Sequence, residues 1–198
     1  MDPTLDPHQL RQAGIGAFFR PQQLEPLGVS YDRLQRLVAL GEVEHVARGL
    51  YHVASAEPTE HHSLAAVCAR VPRSIVCLLS ALQVHEIGTR VPRAVWLAIP
   101  HKARAPRLSK IQIRLVRFSG AAWTYGVQSS EFEGVPAQIT SPARTLADCF
   151  RYERLIGREA AQEALRDALA LKKTTVDALE RVLDVLPSRA LASALEHR

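Results

Sequence analysis

The stretch Gly28–Ala54, GVSYDRLQRLVALGEVEHVARGLYHVA, constrains this chain more than any other. Ser30 is a good N-cap, because its hydroxyl accepts from backbone N–H groups that a first helical turn leaves unbonded. Leu34, Leu37 and Val38 then recur at helical spacing and form one apolar stripe. Gly41 supplies a stop, since a left-handed residue there carries no Cβ penalty. Two short β-type runs follow, Val43–Val46 and Leu50–Val53, joined by Ala47-Arg48-Gly49. Capped helix, glycine stop and tight hairpin together outline a winged helix. In that arrangement the helix enters a DNA major groove and the hairpin flanks it.

The polar side of the helix carries the chemistry. With Leu34 inward, the opposite face presents Asp32, Gln35, Arg36 and Ala39, with Arg33 at its edge and Ser30 and Tyr31 at its start. Arginine can donate to both acceptors of guanine and glutamine can pair with adenine, so this face can read bases. The same face also suits an ordinary solvated helix. Arg48 stands beside Gly49 at the hairpin tip, where a wing meets a backbone phosphate or the minor groove. An exposed turn arginine would look the same.

Upstream, Pro7–Ala13 reads as a short helix ended by Gly14 and Gly16. Phe18 and Phe19 are expected in a core. Pro21 suits the first position of a second helix that Gly28 ends. Leu24 and Leu27 are then expected to pack under Leu34 and Leu37. On the hairpin, Glu42, Glu44, His45 and His52 are polar.

Charge placement says more than the net +5. Met1–Val53 has five basic and six acidic residues, a net of −1. Arg70–Arg117 has ten basic residues and one acid, Glu86, a net of +9. Phosphate neutralisation supplies most non-specific DNA affinity. A DNA-binding role therefore asks for phosphate contacts from Arg70, Arg73, Arg90 and Arg93, and from Lys102, Arg104, Arg107 and Lys110 in the basic loop 101–110.

Ala54–Glu60, ASAEPTE, reads as a linker, giving an N-terminal winged helix-turn-helix over 1–54 and a second domain over 55–198. In the second domain Thr59 can cap a helix from Glu60 to about Arg70. The apolar run from Ile75 reads as mainly helical to Gly88, with a small-residue turn at Ser80-Ala81. Ala94–Ile99 is a strand. Ile111–Phe118 alternates, with Ile111, Ile113 and Leu115 on one side and Gln112, Arg114 and Val116 on the other. Val127–Phe132 and Val135–Ile139 flank Glu133-Gly134 as a hairpin. Ser141-Pro142 starts a run of helices that continues to the end, and Arg144 and Asp148 lie four apart on the first. The predicted class is α+β: a small mixed sheet with helices before and after it.

Other chemistry finds little support. No apolar run approaches the ~20 residues that span a bilayer. The start, MDPTLDPHQL, is unlike a signal peptide. Cys68, Cys77 and Cys149 are scattered and suit a reducing cytoplasm. His61, His62 and Cys68 have no second ligand pair at suitable spacing, so neither a metal nor another cofactor is expected. Ser80 and His85 do not form a catalytic pair, and no catalytic residue is assigned.

Three stretches resemble the AbiEi-type antitoxins, transcriptional regulators found beside nucleotidyltransferase toxins in bacterial abortive-infection systems. They are Gly28–Val53, Leu78–Pro100 (LLSALQVHEIGTRVPRAVWLAIP) and Ile139–Phe150 (ITSPARTLADCF), in the family's order. The resemblance implies a winged helix that binds inverted repeats of double-stranded DNA in its own promoter, as two monomers or a dimer. Its reading helix would be Ser30–Leu40 and its wing arginine Arg48. It also implies a C-terminal antitoxin domain that counteracts the toxin without a stable complex. Arg144 and Asp148 match family positions and read as structural. The expectation is thus a cytoplasmic DNA-binding autorepressor and antitoxin, not an enzyme. The alternative is a protein-interaction module that binds its toxin or another partner without specific DNA binding.

Overall fold

The computed structural model describes residues 6–106, 108 and 111–197, with only the backbone of Pro7 and Arg11. It is an α+β protein with two sheets. The chain divides into two compact units: Met1–Pro72 with Glu131–Ala137, and Arg73–Ser130 with Gln138–Arg198. The expected boundary after residue 54 therefore falls inside unit 1. Ala54–Glu60 is not a free linker: Ala56 N–H donates to the Val53 carbonyl and Thr59 N–H to Glu133.

Unit 1 begins with α1 (Pro7–Gln12), β1 (Phe18–Phe19) and α2 (Pro21–Leu24), which runs into a 3-10 turn at Glu25–Leu27. Gly28, at φ +71°, closes that turn. Then come α3 (Tyr31–Ala39), β2 (Val43–Ala47), β3 (Leu50–Val53) and α4 (His62–Arg70). The sheet order is β1-β3-β2 and both pairings are antiparallel. Phe18 and Phe19 are core residues as expected, but they form a strand, paired with His52 and Tyr51. That places β3 in the centre with all four residues buried, the polar His52 included. Leu24, Leu34 and Leu37 share one core with Leu10, Phe19 and Val53. Leu27 does not join them and is 41% exposed, because the 3-10 turn carries it away from the helical face.

Unit 2 contains β4 (Ile75–Val76), α5 (Leu78–Val84), β5 (Val95–Pro100), β6 (Ile113–Phe118) and α6 (Ala121–Thr124). The hairpin β7 (Val127–Phe132) and β8 (Val135–Thr140) follows, its tip belonging to unit 1. Five helices complete it: α7 (Pro142–Arg151), α8 (Glu153–Ile156), α9 (Arg158–Ala170), α10 (Val176–Val185) and α11 (Arg189–Glu196). Ser141, Thr175 and Ser188 cap α7, α10 and α11 through their side chains.

The five-stranded sheet runs β6-β5-β4-β8-β7, with β5–β6 and β4–β8 parallel. Two expectations are corrected here. Ile75 and Val76 are not helical; they form the central strand, paired with Ala98 and Leu97 on one side and, through Val76, with Ile139 on the other. Ser80 and Ala81 sit inside α5 rather than in a turn, and the Ser80 hydroxyl accepts from Trp96 N–H at 2.9 Å. On the edge strand β6, Val116 and Phe118 join the core from one face.

Arg144 is the organising side chain of unit 2 and has no exposed surface. Its Nε donates to Asp148 Oδ2 at 3.0 Å, one terminal nitrogen donates to the Ala122 carbonyl at 2.9 Å, and the other to the Tyr125 carbonyl. The guanidinium lies 4.7 Å from the centre of the Phe118 ring. Gly126 is required beside it, at φ +67°, because a Cβ there would come within 2.8 Å of the Arg144 Cβ. Burial pushes the Asp148 carboxyl up to about 6 against the pull of Arg144. Burial likewise pushes the Cys68 thiol up to about 12 and raises Cys77 and Cys149, leaving three inert thiols. Among the described residues, no helix is long and apolar enough to cross a membrane.

Two outcomes follow for stability. Arg144→Ala leaves the buried Asp148 carboxyl and the Ala122 and Tyr125 carbonyls without their shared donor and should remove roughly 3–5 kcal/mol from unit 2, read from urea unfolding at pH 7. His85 accounts for a pH effect. Burial, aided by Lys173 and opposed by a 2.7 Å bond to the Thr140 carbonyl, holds its imidazole below the ordinary 6.5. The unfolded chain takes up a proton near pH 6.5 that the native state refuses until lower pH. The His85 contribution to stability should therefore fall as pH drops through 6.5, opposite in sign to that of the raised Asp148 carboxyl, and a series of urea midpoints for His85→Gln against wild type should isolate it.

Candidate nucleic-acid interface

Both ends of α3 are closed by local bonds. Ser30 Oγ accepts from Arg33 N–H at 3.3 Å. At the other end Gly41, at φ +76°, donates to the Val38 carbonyl while Glu42 N–H donates to Leu37, the paired bonds of a Schellman motif. Glu42 leads directly into β2, so helix and hairpin are separated by one turn. The hairpin closes on Arg48-Gly49, with Ala47 opposite Leu50 and a bulge between His45 and Ala47. Gly49 adopts φ +65°.

Leu34 and Leu37 face the core, while Tyr31, Asp32, Gln35 and Arg36 are exposed and Arg33 is half-buried. Ser30 and Arg48 are exposed too. Tyr51 was not anticipated in this group. Gln35 Nε2 donates to the Tyr51 hydroxyl at 3.3 Å, and a hydrogen bond with Tyr51 raises the Tyr31 phenol above its ordinary value. Tyr51 also lies against His45, ring centres 4.9 Å apart. One tyrosine on the central strand thus orients two residues of the helix surface. No local pattern marks it, because Tyr51 reads simply as a β-former.

The basic residues divide between the units. Arg70 lies on α4 in unit 1, half-buried, donating to the Ala66 carbonyl at 3.1 Å and standing 3.9 Å from Glu44. It reaches from α4 toward Glu44 of β2. Arg73, Arg90, Arg93, Lys102 and Arg104 are exposed in unit 2. Arg107 and Lys110 lie outside the described residues. Arg117 was missed as a positioning residue: its guanidinium donates to the carbonyls of Pro100, His101 and Ala103, pinning the start of the loop that carries Lys102 and Arg104. Unit 1 holds six Arg against ten Asp and Glu, a net of −4, which leaves +9 for unit 2.

No family model matches this chain. No curated protein matches it either. Its fold is similar to a solved structure, that of the RV2827C protein from Mycobacterium tuberculosis. The likeness has a TM-score of 0.54 at 17% identity and covers 89% of this chain and 69% of that one. At that identity it shows a shared α+β fold and nothing about activity.

The cap can be tested alone. Ser30→Ala should lower the stability of unit 1 by ~1 kcal/mol and Ser30→Gly by only a few tenths, read as shifts in the urea midpoint.

Proposed function

We propose that unit 1 is a winged helix-turn-helix that binds double-stranded DNA, with α3 in the major groove and Arg48 of the β2–β3 turn on the flanking backbone. The observation that carries this reading is the surface of α3. A helix closed at both ends and joined to a hairpin by one turn presents Asp32, Gln35 and Arg36 on one exposed face. Those residue types can read base edges. The exposed basic residues of unit 2 would supply phosphate contacts that an acidic unit 1 lacks. The three stretches resembling AbiEi-type antitoxins extend the reading to a promoter-binding autorepressor and antitoxin whose toxin is a nucleotidyltransferase.

A second reading has its own support. Unit 1 carries a net charge of −4, and Leu27, Tyr31 and Leu40 around α3 are 41%, 60% and 72% exposed. An acidic surface with exposed apolar side chains suits a protein partner, the toxin included.

Fluorescence anisotropy with the DNA upstream of the gene separates the two. DNA binding predicts log–log salt dependence of about −0.9 per phosphate neutralised. Arg36→Ala should cost ~1–3 kcal/mol on the preferred sequence and relax base preference. Arg93→Ala and Arg104→Ala should instead lower affinity evenly across sequences. No binding at low salt, together with a stable stoichiometric complex with the neighbouring gene product, would establish the second reading instead.

A further inference from the structure

We propose that His52, His62 and Glu133 form a binding site for a divalent transition-metal ion, zinc foremost, inside unit 1. The three come from separate parts of the chain: the central strand β3, the first turn of α4 and the tip of the β7–β8 hairpin. One ligand atom of each lies within 4.8 Å of the others. His62 Nδ1 is 3.1 Å from Glu133 Oε2, and the two imidazole rings are 5.0 Å apart at 64°.

His52 supplies the argument that a packing role does not. It is only 8% exposed, and its buried Nε2 has no hydrogen-bond partner among the described residues. A buried polar nitrogen left unbonded is costly and uncommon. A metal ion would satisfy that nitrogen where no protein group does.

Glu133 is held as a ligand should be. Thr59 donates to its Oε1 from both backbone and hydroxyl, which leaves Oε2 toward His62. Burial works against ionisation, but these bonds outweigh it and hold the carboxyl below its ordinary value. The backbone is fixed as well. Glu133 adopts φ +51°, a conformation that side-chain-bearing residues rarely hold without support. The support is close packing: a Cβ on Gly16 would meet the Glu133 carbonyl oxygen at 2.7 Å, and one on Gly134 the Phe18 carbonyl at 2.9 Å. Two imidazoles and a carboxylate, the carboxylate oriented by Thr59, suit zinc with a fourth position for water. Such an ion would join β3, α4 and the hairpin tip within unit 1.

The test uses the full chain stripped with a chelator and titrated with zinc, with bound metal counted by elemental analysis. One ion per chain is expected, with a rise in Tm. Cobalt should give visible d–d bands without a thiolate charge-transfer band, since Cys68, Cys77 and Cys149 are not ligands. Thr59→Ala, which leaves the three ligands in place, should weaken zinc roughly 10–100-fold. His52→Ala and Glu133→Gln should weaken it further, and His61→Ala should leave it unchanged. A folded wild-type chain that retains no zinc above the buffer level would overturn the proposal. So would His52→Ala or Thr59→Ala variants with native circular dichroism that bind zinc as tightly as wild type.

Discussion

Arg144 puts a permanent positive charge in the interior of unit 2, and the surrounding structure is arranged to accommodate it. A guanidinium removed from water is costly to hold unless it is paired and hydrogen-bonded. Asp148 supplies the counter-charge from the next turn of α7, Ala122 and Tyr125 supply carbonyls from α6 and the residue after it, and Phe118 covers the group from β6. One side chain therefore sets where α6 ends, requires a glycine at position 126, and holds the start of the β7–β8 hairpin beside α7. That hairpin's tip, Glu131–Ala137, is the segment that unit 1 takes back.

Unit 1 relies on backbone geometry at its turns more than on charge. Gly28, Gly41 and Gly49 all adopt positive φ, and each closes one element and aims the next. Between the first two, α3 presents a polar face whose outer residues are oriented from the strand behind it by Tyr51. The unit that displays this face is acidic, while the other is strongly basic. Any recognition of nucleic acid by α3 would thus provide shape and base contacts with little electrostatic attraction of its own. The same acidity is what makes a protein partner a serious competing reading.

Where local chemistry decided structure, the chain was readable. The Ser30 and Ser141 caps, Pro142 at a helix start and the Glu133-Gly134 hairpin lie where their local preferences put them, whereas Thr59, expected to cap α4, bonds Glu133 and leaves His61 at the N-cap position. Errors arose where a residue's environment is set by partners far along the chain. Ile75 and Val76 are apolar enough for a helix or a strand, and pairing with residues near positions 98 and 139 decides between them. On β6 both faces carry apolar residues, so alternation alone does not say which is buried, and packing selects Val116 and Phe118.

Residue order by itself determined the Ser30 and Ser141 caps, the two hairpins, the α+β class and the contrast between an acidic head and a basic middle. These depend on bonds and preferences spanning only a few residues. Tertiary structure alone decided that α4 and the tip around Glu133 belong with unit 1, that His52 is buried beside His62, and that Arg70 and Arg117 brace the fold. The reason is that burial and coordination belong to groups brought together by the folded backbone. His62 and Glu133 stand 71 positions apart, and no local period or spacing records their meeting.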